Sequence, residues 1–217
     1  MKKLSFIALL FISTITVAQT NTEPPLDGVY KKIHIANAKI IPYATLREAD
    51  AMFTKRIWRK IDFREKINLP FSSPQSPLID YLLNAIANGE LVAYRGDDEE
   101  FKQPMTPEEV AQIGTSTDTV DQEDPITGEI TRVPTFKQLV KSDVVELRMK
   151  EEWFFDKQRS IWEARIIGIC PALISRSQDG EERGKQAMFW IYYPDARKVL
   201  ANAEVINRFN DAARMSF

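Results

Sequence analysis

Two residues carry most of the nucleophile and metal chemistry open to this chain, His34 and Cys170, and each is the only one of its type. A thiol becomes an effective nucleophile when a neighbouring imidazole takes its proton, yet nothing in the spacing brings these two together. A zinc site needs several His or Cys ligands, which one of each does not supply. Cys170 stands in the apolar run IIGICPAL, where the expected role is a small buried hydrophobe. His34 lies in an N-terminal arm and reads as an ordinary polar surface residue. Carboxylates are more plentiful. Asp97, Asp98, Glu99 and Glu100 form one acidic cluster, and Asp118, Asp121, Glu123 and Asp124 a second. Neither has the alternating ligands and central Gly of a dedicated calcium loop, so both read as solvated acidic loops. GxSxG, P-loop and GxGxxG patterns are missing. A carboxylate pair acting on a glycosidic bond stays open, because separation in space is invisible in sequence. The expectation is no catalytic residue, no cofactor and no metal.

The residues suited to making contacts are more prominent. The stretch 43–71 is YATLREADAMFTKRIWRKIDFREKINLPF. Thr45 followed by Glu48 has the form of a capping box, and Leu46, Ala49, Phe53, Ile57 and Ile61 recur at spacings of three and four. The pattern predicts a helix with an apolar face widened by Met52 and Trp58 and a charged back. Arg56, Arg59 and Lys60 form a late basic ridge, with Trp58 as a potential anchor for a partner bearing acidic groups. A second group of large side chains, Trp153, Phe154, Phe155, Trp162, Phe189, Trp190, Tyr192 and Tyr193, crowds the C-terminal half. Most must be core; an uncovered face would make a sugar- or protein-binding platform.

Three stretches carry a resemblance. READAMFTKRIWRKIDFREKINLPF, EEWFFDKQRSIWEARIIGICPA and FWIYYPDARKVLANAEVINRFNDAARMSF resemble the GldN/PorN family of bacterial gliding motility and type IX secretion. Its specificity comes from length and order, since no short motif is chemically diagnostic. Family members usually continue beyond the segment matching NDAARMSF, so the resemblance implies either a short member or a piece of a longer chain. It further implies a non-catalytic periplasmic component at the inner face of the outer membrane. Implied partners are a GldK/PorK-like outer-membrane lipoprotein, with which it forms a ring by self-association, and a GldM/PorM-like motor component.

Met1-Lys2-Lys3 and the apolar stretch 4–17 have the layout of a secretory signal peptide ending after Ala18. That stretch is short for a bilayer span, which takes about 20 residues, and no second one is long enough. With 29 basic and 31 acidic side chains the formal charge is −2, which argues against general nucleic-acid binding. One cysteine leaves no internal disulfide, so stability must come from burial and hydrogen bonds.

The predicted organisation is a signal peptide over 1–18, an extended arm over 19–42, a helical region over 43–114, an acidic polar linker over 115–134, and a β-meander with a C-terminal helix over 135–217. Within it, Ser76 and Pro77 start a helix carrying Ile79, Leu82, Leu83 and Ile86, which stops at Asn88-Gly89. Residues 91–94 read as a short strand. A capping box at Thr106 and Glu109 starts a weaker helix, and Thr135 starts another. In 162–170, Trp162, Ala164, Ile166, Gly168 and Cys170 share one strand face. The expected class is α+β, with a helical N-terminal half, a small antiparallel meander and a C-terminal helical segment. Expected protein-binding residues are Ile33 and Ile35 of the arm and Arg56, Trp58, Arg59 and Lys60 of the ridge. The alternative function is a periplasmic carbohydrate-binding or hydrolytic protein.

Overall fold

The computed structural model describes residues 35, 38–74, 77–123, 130–137, 139–176, 181–205, 207, 210 and 215–217. The chain divides into two compact units, Met1–Lys32 and Ile33–Phe217, and the described residues belong to the second. The expected signal peptide, His34 and Ile33 lie outside them.

The expected helical N-terminal half is not what forms. Over 43–71 only a short 3-10 turn, Glu48–Asp50, precedes a long strand, β1 (Ala51–Asp62). Thr45 caps nothing, since Arg47 precedes the turn without a side-chain cap. The cause is a degeneracy of spacing. Phe53, Ile57 and Ile61 are four residues apart, which is close to one helical turn and also an even number of strand steps. The strand preferences of Phe53, Thr54, Ile57, Trp58 and Ile61 then combine with a long backbone ladder. β1 pairs antiparallel with a later strand, from Phe53 opposite Phe155 to Asp62 opposite Glu146.

The remaining elements follow in order. α1 (Leu78–Ala87) buries Leu78, Ile79, Leu82, Ala85 and Ile86, and Gly89 beyond it takes φ +73°. Its start is shifted from expectation: Pro77 is the residue before the helix, and Ser76 lies outside the described residues. β2 (Ala93–Arg95) and β3 (Pro104–Met105) flank a loop, and α2 (Pro107–Gln112) begins with the full capping box between Thr106 and Glu109. The stretch expected as a linker contains paired strands, β4 (Ser116–Glu123) and β5 (Ile130–Lys137). β-Branched residues (Thr117, Thr119, Val120, Ile130, Thr131, Val133) supply the strand preference that the acidic composition obscured. Thr135 is therefore in a strand, not a helix cap. β6 (Val144–Asp156), β7 (Ile161–Arg176), β8 (Glu182–Ala187) and β9 (Phe189–Tyr192) lead into α3 (Tyr193–Asn202). The pair β10 (Glu204–Val205) and β11 (Met215–Ser216) closes the described chain, where a helical continuation was expected.

Seven strands form one sheet in the order β1-β6-β7-β9-β2-β3, with β8 also paired to β7. Every described pairing is antiparallel. The protein is thus mainly β, a sheet dressed by three short helices. One face packs against the helices: Leu147, Met149, Ile169, Ile191 and Ala93 join Leu82, Ile86, Val110, Ala196 and Leu200 in one buried cluster. Burying a large aliphatic side chain of this kind stabilises by about 1.5–3 kcal/mol.

The register between β6 and β7 breaks once near its middle. Lys150 faces Gly168, whereas Glu151 faces Ile166, which leaves Ile167 as an extra residue. Such a bulge reverses the alternation of the strand. Trp162, Ala164 and Ile166 consequently share the helix-side face with Ile169, while Gly168 and Cys170 lie on the other. The single shared face expected for all five residues is therefore split.

Candidate functional site

The sheet is covered unevenly. Where β6, β7 and β9 run together, the helices cover one face and a strap over 96–103 covers the other. The strap is held at three points in one row of the sheet. Trp58 Nε1 donates to Glu99 Oε2 at 2.9 Å, and Lys150 Nζ donates to the Glu99 carbonyl at 2.7 Å. Phe101, in the left-handed region at φ +60°, lies over Gly168 against Tyr94, Trp190 and Tyr192. A Cβ on Gly168 would sit 2.5 Å from the Phe101 ring, so glycine is what admits the ring to the sheet. Lys150 also approaches the ring face at 5.6 Å, a favourable cation–π placement.

The acidic cluster in this strap is spoken for. The Asp98 carboxylate accepts from the backbone N–H groups of Glu100, Lys102 and Gln103. Desolvation opposes its ionisation, but those three donors hold the carboxyl below its ordinary value. Asp97 pairs with Arg95 and Glu100 with Lys102. Among the described residues no group of three or more candidate ligands is placed to hold a metal. Cys170 is fully buried, and desolvation pushes its thiol up to about 12, so at neutral pH it remains a protonated hydrophobe rather than a nucleophile.

Beyond the strap and helices, β1 and the β6–β7 hairpin extend with little cover. Phe53, Phe155 and Trp162 occupy one row across the three strands. Trp162 packs edge-on against Phe53 at 5.4 Å and against Phe155 at 5.5 Å. Phe53 is still 50% and Trp162 58% exposed, although most aromatic pairs of this kind bury their area in a core. On the opposite face Phe154 is buried beneath Arg165, whose guanidinium stacks at 5.0 Å from it and 4.9 Å from Tyr43. Arg165 and Arg197 donate to the carbonyls of Ala44 and Ile41, which pins the end of the arm. Ile35 is buried, while Ile41 is 80% exposed.

The basic ridge is rearranged by the change from helix to strand. Arg56, Trp58 and Lys60 share one face, and Arg59 points to the other with Lys55. Arg59 lies 3.4 Å from buried Glu151 and above the Trp153 ring, and Trp153 Nε1 donates to the same carboxylate at 2.9 Å. Arg59 therefore balances a charge within the fold. Arg56 reaches Glu152 only at 3.8 Å. Lys55 and Lys60 have no ion-pair partner among the described residues. Trp58 is 53% exposed. Lys55 was missed because a helical reading separates it from the ridge; the strand period would have placed it there.

At the far end of β1, an ionic cluster joins β1, β6 and β8. Lys185 Nζ bridges Asp62 and Glu146 at 3.0 and 2.8 Å, Arg148 donates to Glu146, and Arg64 clasps Asp62. An open groove of about 940 Å³ lies at the base of the β4–β5 hairpin, with Arg95, Glu109, Asp143 and Arg176 on its walls. Arg176 and Asp143 pair across 3.1 Å.

Among the described residues no helix is long and apolar enough to cross a membrane. No curated protein matches the chain. A family profile described as "Gliding motility associated protein GldN" matches residues 46–217, which takes in the strap, the basic edge strand and the aromatic row. On that match, over most of its length, the chain belongs to the GldN family of gliding-motility-associated proteins.

Proposed function

We propose that this chain is a non-catalytic periplasmic component of the gliding and type IX secretion apparatus, working by repeated protein–protein contact. In this reading it forms a ring by self-association, held under the outer membrane by a GldK/PorK-like lipoprotein, and meets a GldM/PorM-like motor component. Family membership supplies the association with gliding motility. The observation that supports contact as the mode of action is β1: a 12-residue edge strand with four basic residues beside an uncovered aromatic row. Long exposed edges are usually shortened, bulged or covered in a monomer, and exposed aromatics beside charges suit an interface.

The test is fractionation of cells followed by capture of the chain under mild detergent. Recovery of an outer-membrane lipoprotein in a large particle supports the reading. A monomer that binds saccharide through Phe53 and Trp162, or hydrolyses it, would replace this reading with the carbohydrate alternative.

A further inference from the structure

β1 lies at one end of the main sheet and pairs there with β6 alone. The backbone along its other side has no strand partner among the described residues. β1 runs for 12 residues, about twice the usual strand length. Edge strands are commonly kept short, bulged or guarded by charge, which stops other chains from pairing with them. Here the one irregularity in the β1–β6 register falls between Ala51 and Phe53, and the ladder from Phe53 to Asp62 is unbroken. An edge of that length suits an extended segment of a second molecule, which adds a strand through main-chain hydrogen bonds while side chains set specificity.

The side chains state the chemistry of that segment. On one face β1 presents Arg56, Trp58 and Lys60, and on the other Phe53, Lys55 and Ile57. Lys55 and Lys60 have no ion-pair partner among the described residues, and Arg56 reaches Glu152 only at 3.8 Å. Trp58 spends its indole N–H on Glu99 and remains exposed. Opposite charges directly across a ladder attract, and like charges repel. A strand laid antiparallel along β1, the direction of every described pairing, is matched when carboxylates stand opposite Lys60, Arg56 and Lys55. Aromatic or β-branched residues then suit the places opposite Trp58, Ile57 and Phe53. A second β1 is a poor match. It brings the same four cations, and its single carboxylate, Asp62, is already held by Arg64 and Lys185. β3 is two residues long, and β8 carries Arg183 and Lys185. The main sheet of a second copy therefore supplies no complement, and the segment sought is one of another protein.

We propose that β1 takes up an acidic, extended segment of a partner protein as an added antiparallel strand, its carboxylates opposite Lys60, Arg56 and Lys55. The inference rests on the contact role put forward above and names the chemistry of the partner.

The probe is the peptide TETYVEETVT, titrated at low salt against the whole chain. In the proposed register its glutamates face Lys60, Arg56 and Lys55, its tyrosine Trp58, and its valines Ile57 and Phe53. Binding with slowed amide hydrogen exchange along β1 supports the inference. A chain with Lys55→Glu and Lys60→Glu should bind this peptide at least about tenfold more weakly. It should bind TKTYVEKTVT, which swaps the two facing glutamates for lysines, with affinity restored; restoration also shows that the variant is folded. Two peptides N-methylated on alternate residues, one on odd and one on even positions, test the backbone. Only the one whose remaining N–H groups face β1 should bind. Equal binding of both would reduce the contact to charge attraction and overturn the added strand. Lys55→Gln with Lys60→Gln separates recruitment from protection. A variant that self-associates yet holds the peptide undiminished would make these lysines guards of the edge, and the inference would fall. So it would if phosphatidylglycerol vesicles or a second copy of the chain occupied β1 and the peptide did not. A chain that recovers the lipoprotein but not the peptide loses this inference and keeps the proposed function. One that takes the peptide as described but recovers no lipoprotein does the reverse.

Discussion

The covered and uncovered halves of the main sheet are built from the same kinds of residue and put to different uses. Around Leu147, Met149, Ile169 and Ile191 the sheet meets α1 and α3, and the side chains are almost fully buried. A few residues further along β7 and at the far end of β1, Trp162 and Phe53 remain half exposed. Hydrophobicity therefore does not decide which part is core. The reach of the helices and of the 96–103 strap does, and the strands outrun both. A sheet that extends past its own cover is suited to being covered by another molecule.

The sharpest way to break this contrast is to compare truncations in the two halves. Leu82→Ala, at a fully buried site, should cost about 2–5 kcal/mol, measured by urea unfolding. Trp162→Ala should cost well under half as much, yet weaken lipoprotein recovery more than Leu82→Ala does under conditions where both are folded. Equal stability costs would show that the aromatic row is part of the core after all.

Gly168→Ala probes the strap. The added methyl would meet the Phe101 ring, and relieving that overlap should cost about 1–3 kcal/mol. Loss of near-ultraviolet circular dichroism from the Phe101–Trp190–Tyr192 cluster should accompany it. Phe101→Ala in the same background should remove most of the penalty, and failure to do so would detach the glycine from the ring.

The ionic cluster predicts how the covered half responds to pH. Hydrogen bonding from Arg64, first of all, holds Asp62 far below its ordinary 3.8. Desolvation pushes Glu146 up, but Lys185 and Arg148 outweigh it and leave the group below 4.5. Lys185 is raised above 10.5, chiefly by hydrogen bonding to Glu146. Depressed carboxylates give stability that is complete above their unfolded values and lost as pH falls through the folded ones. The raised lysine gives stability complete below 10.5 and lost as pH rises through its folded value. Stability should therefore be level from about pH 5 to 10 for these groups and decline on both sides. Lys185→Met should lessen both declines in a denaturation series against pH; an unchanged acid limb would remove the lysine from the account.

The smallest expected change in stability belongs to Lys55→Glu with Lys60→Glu, within about 0.5 kcal/mol by thermal unfolding. Neither lysine has an internal ion-pair partner among the described residues. A large loss would mean that the edge is already engaged inside the monomer.

Parts of this fold were legible because one signal dominated. α1 reads cleanly from Ile79, Leu82 and Ile86 with Gly89 after it, and α2 from Thr106 and Glu109. The β6–β7 hairpin reads from its aromatic strands and the turn after Asp156. β1 did not, because residues four apart serve both periods and the capping pattern at Thr45 tipped the reading toward helix. The β4–β5 hairpin was hidden by its acidic composition, although its β-branched residues were in view. Of the expected contact residues, Trp58 and Lys60 stand on an accessible edge, Arg59 is committed to Glu151, and Ile35 is buried. Only three-dimensional pairing could reveal that Glu151 needs that arginine, since the two are distant in sequence.

The extra residue at Ile167 sets the phase between the two halves of β7. Without an extra residue here, Trp162, Ala164 and Ile166 would fall in step with Gly168 and Cys170 and lie on the strap side; the bulge carries them to the helix side and leaves Ile169 and Cys170 where they are. Deleting Ile167 would therefore straighten the strand and keep every one of these side chains on its present side. One inserted residue lets a sequence whose spacing points its outer aromatics one way present them on the other side of the blade.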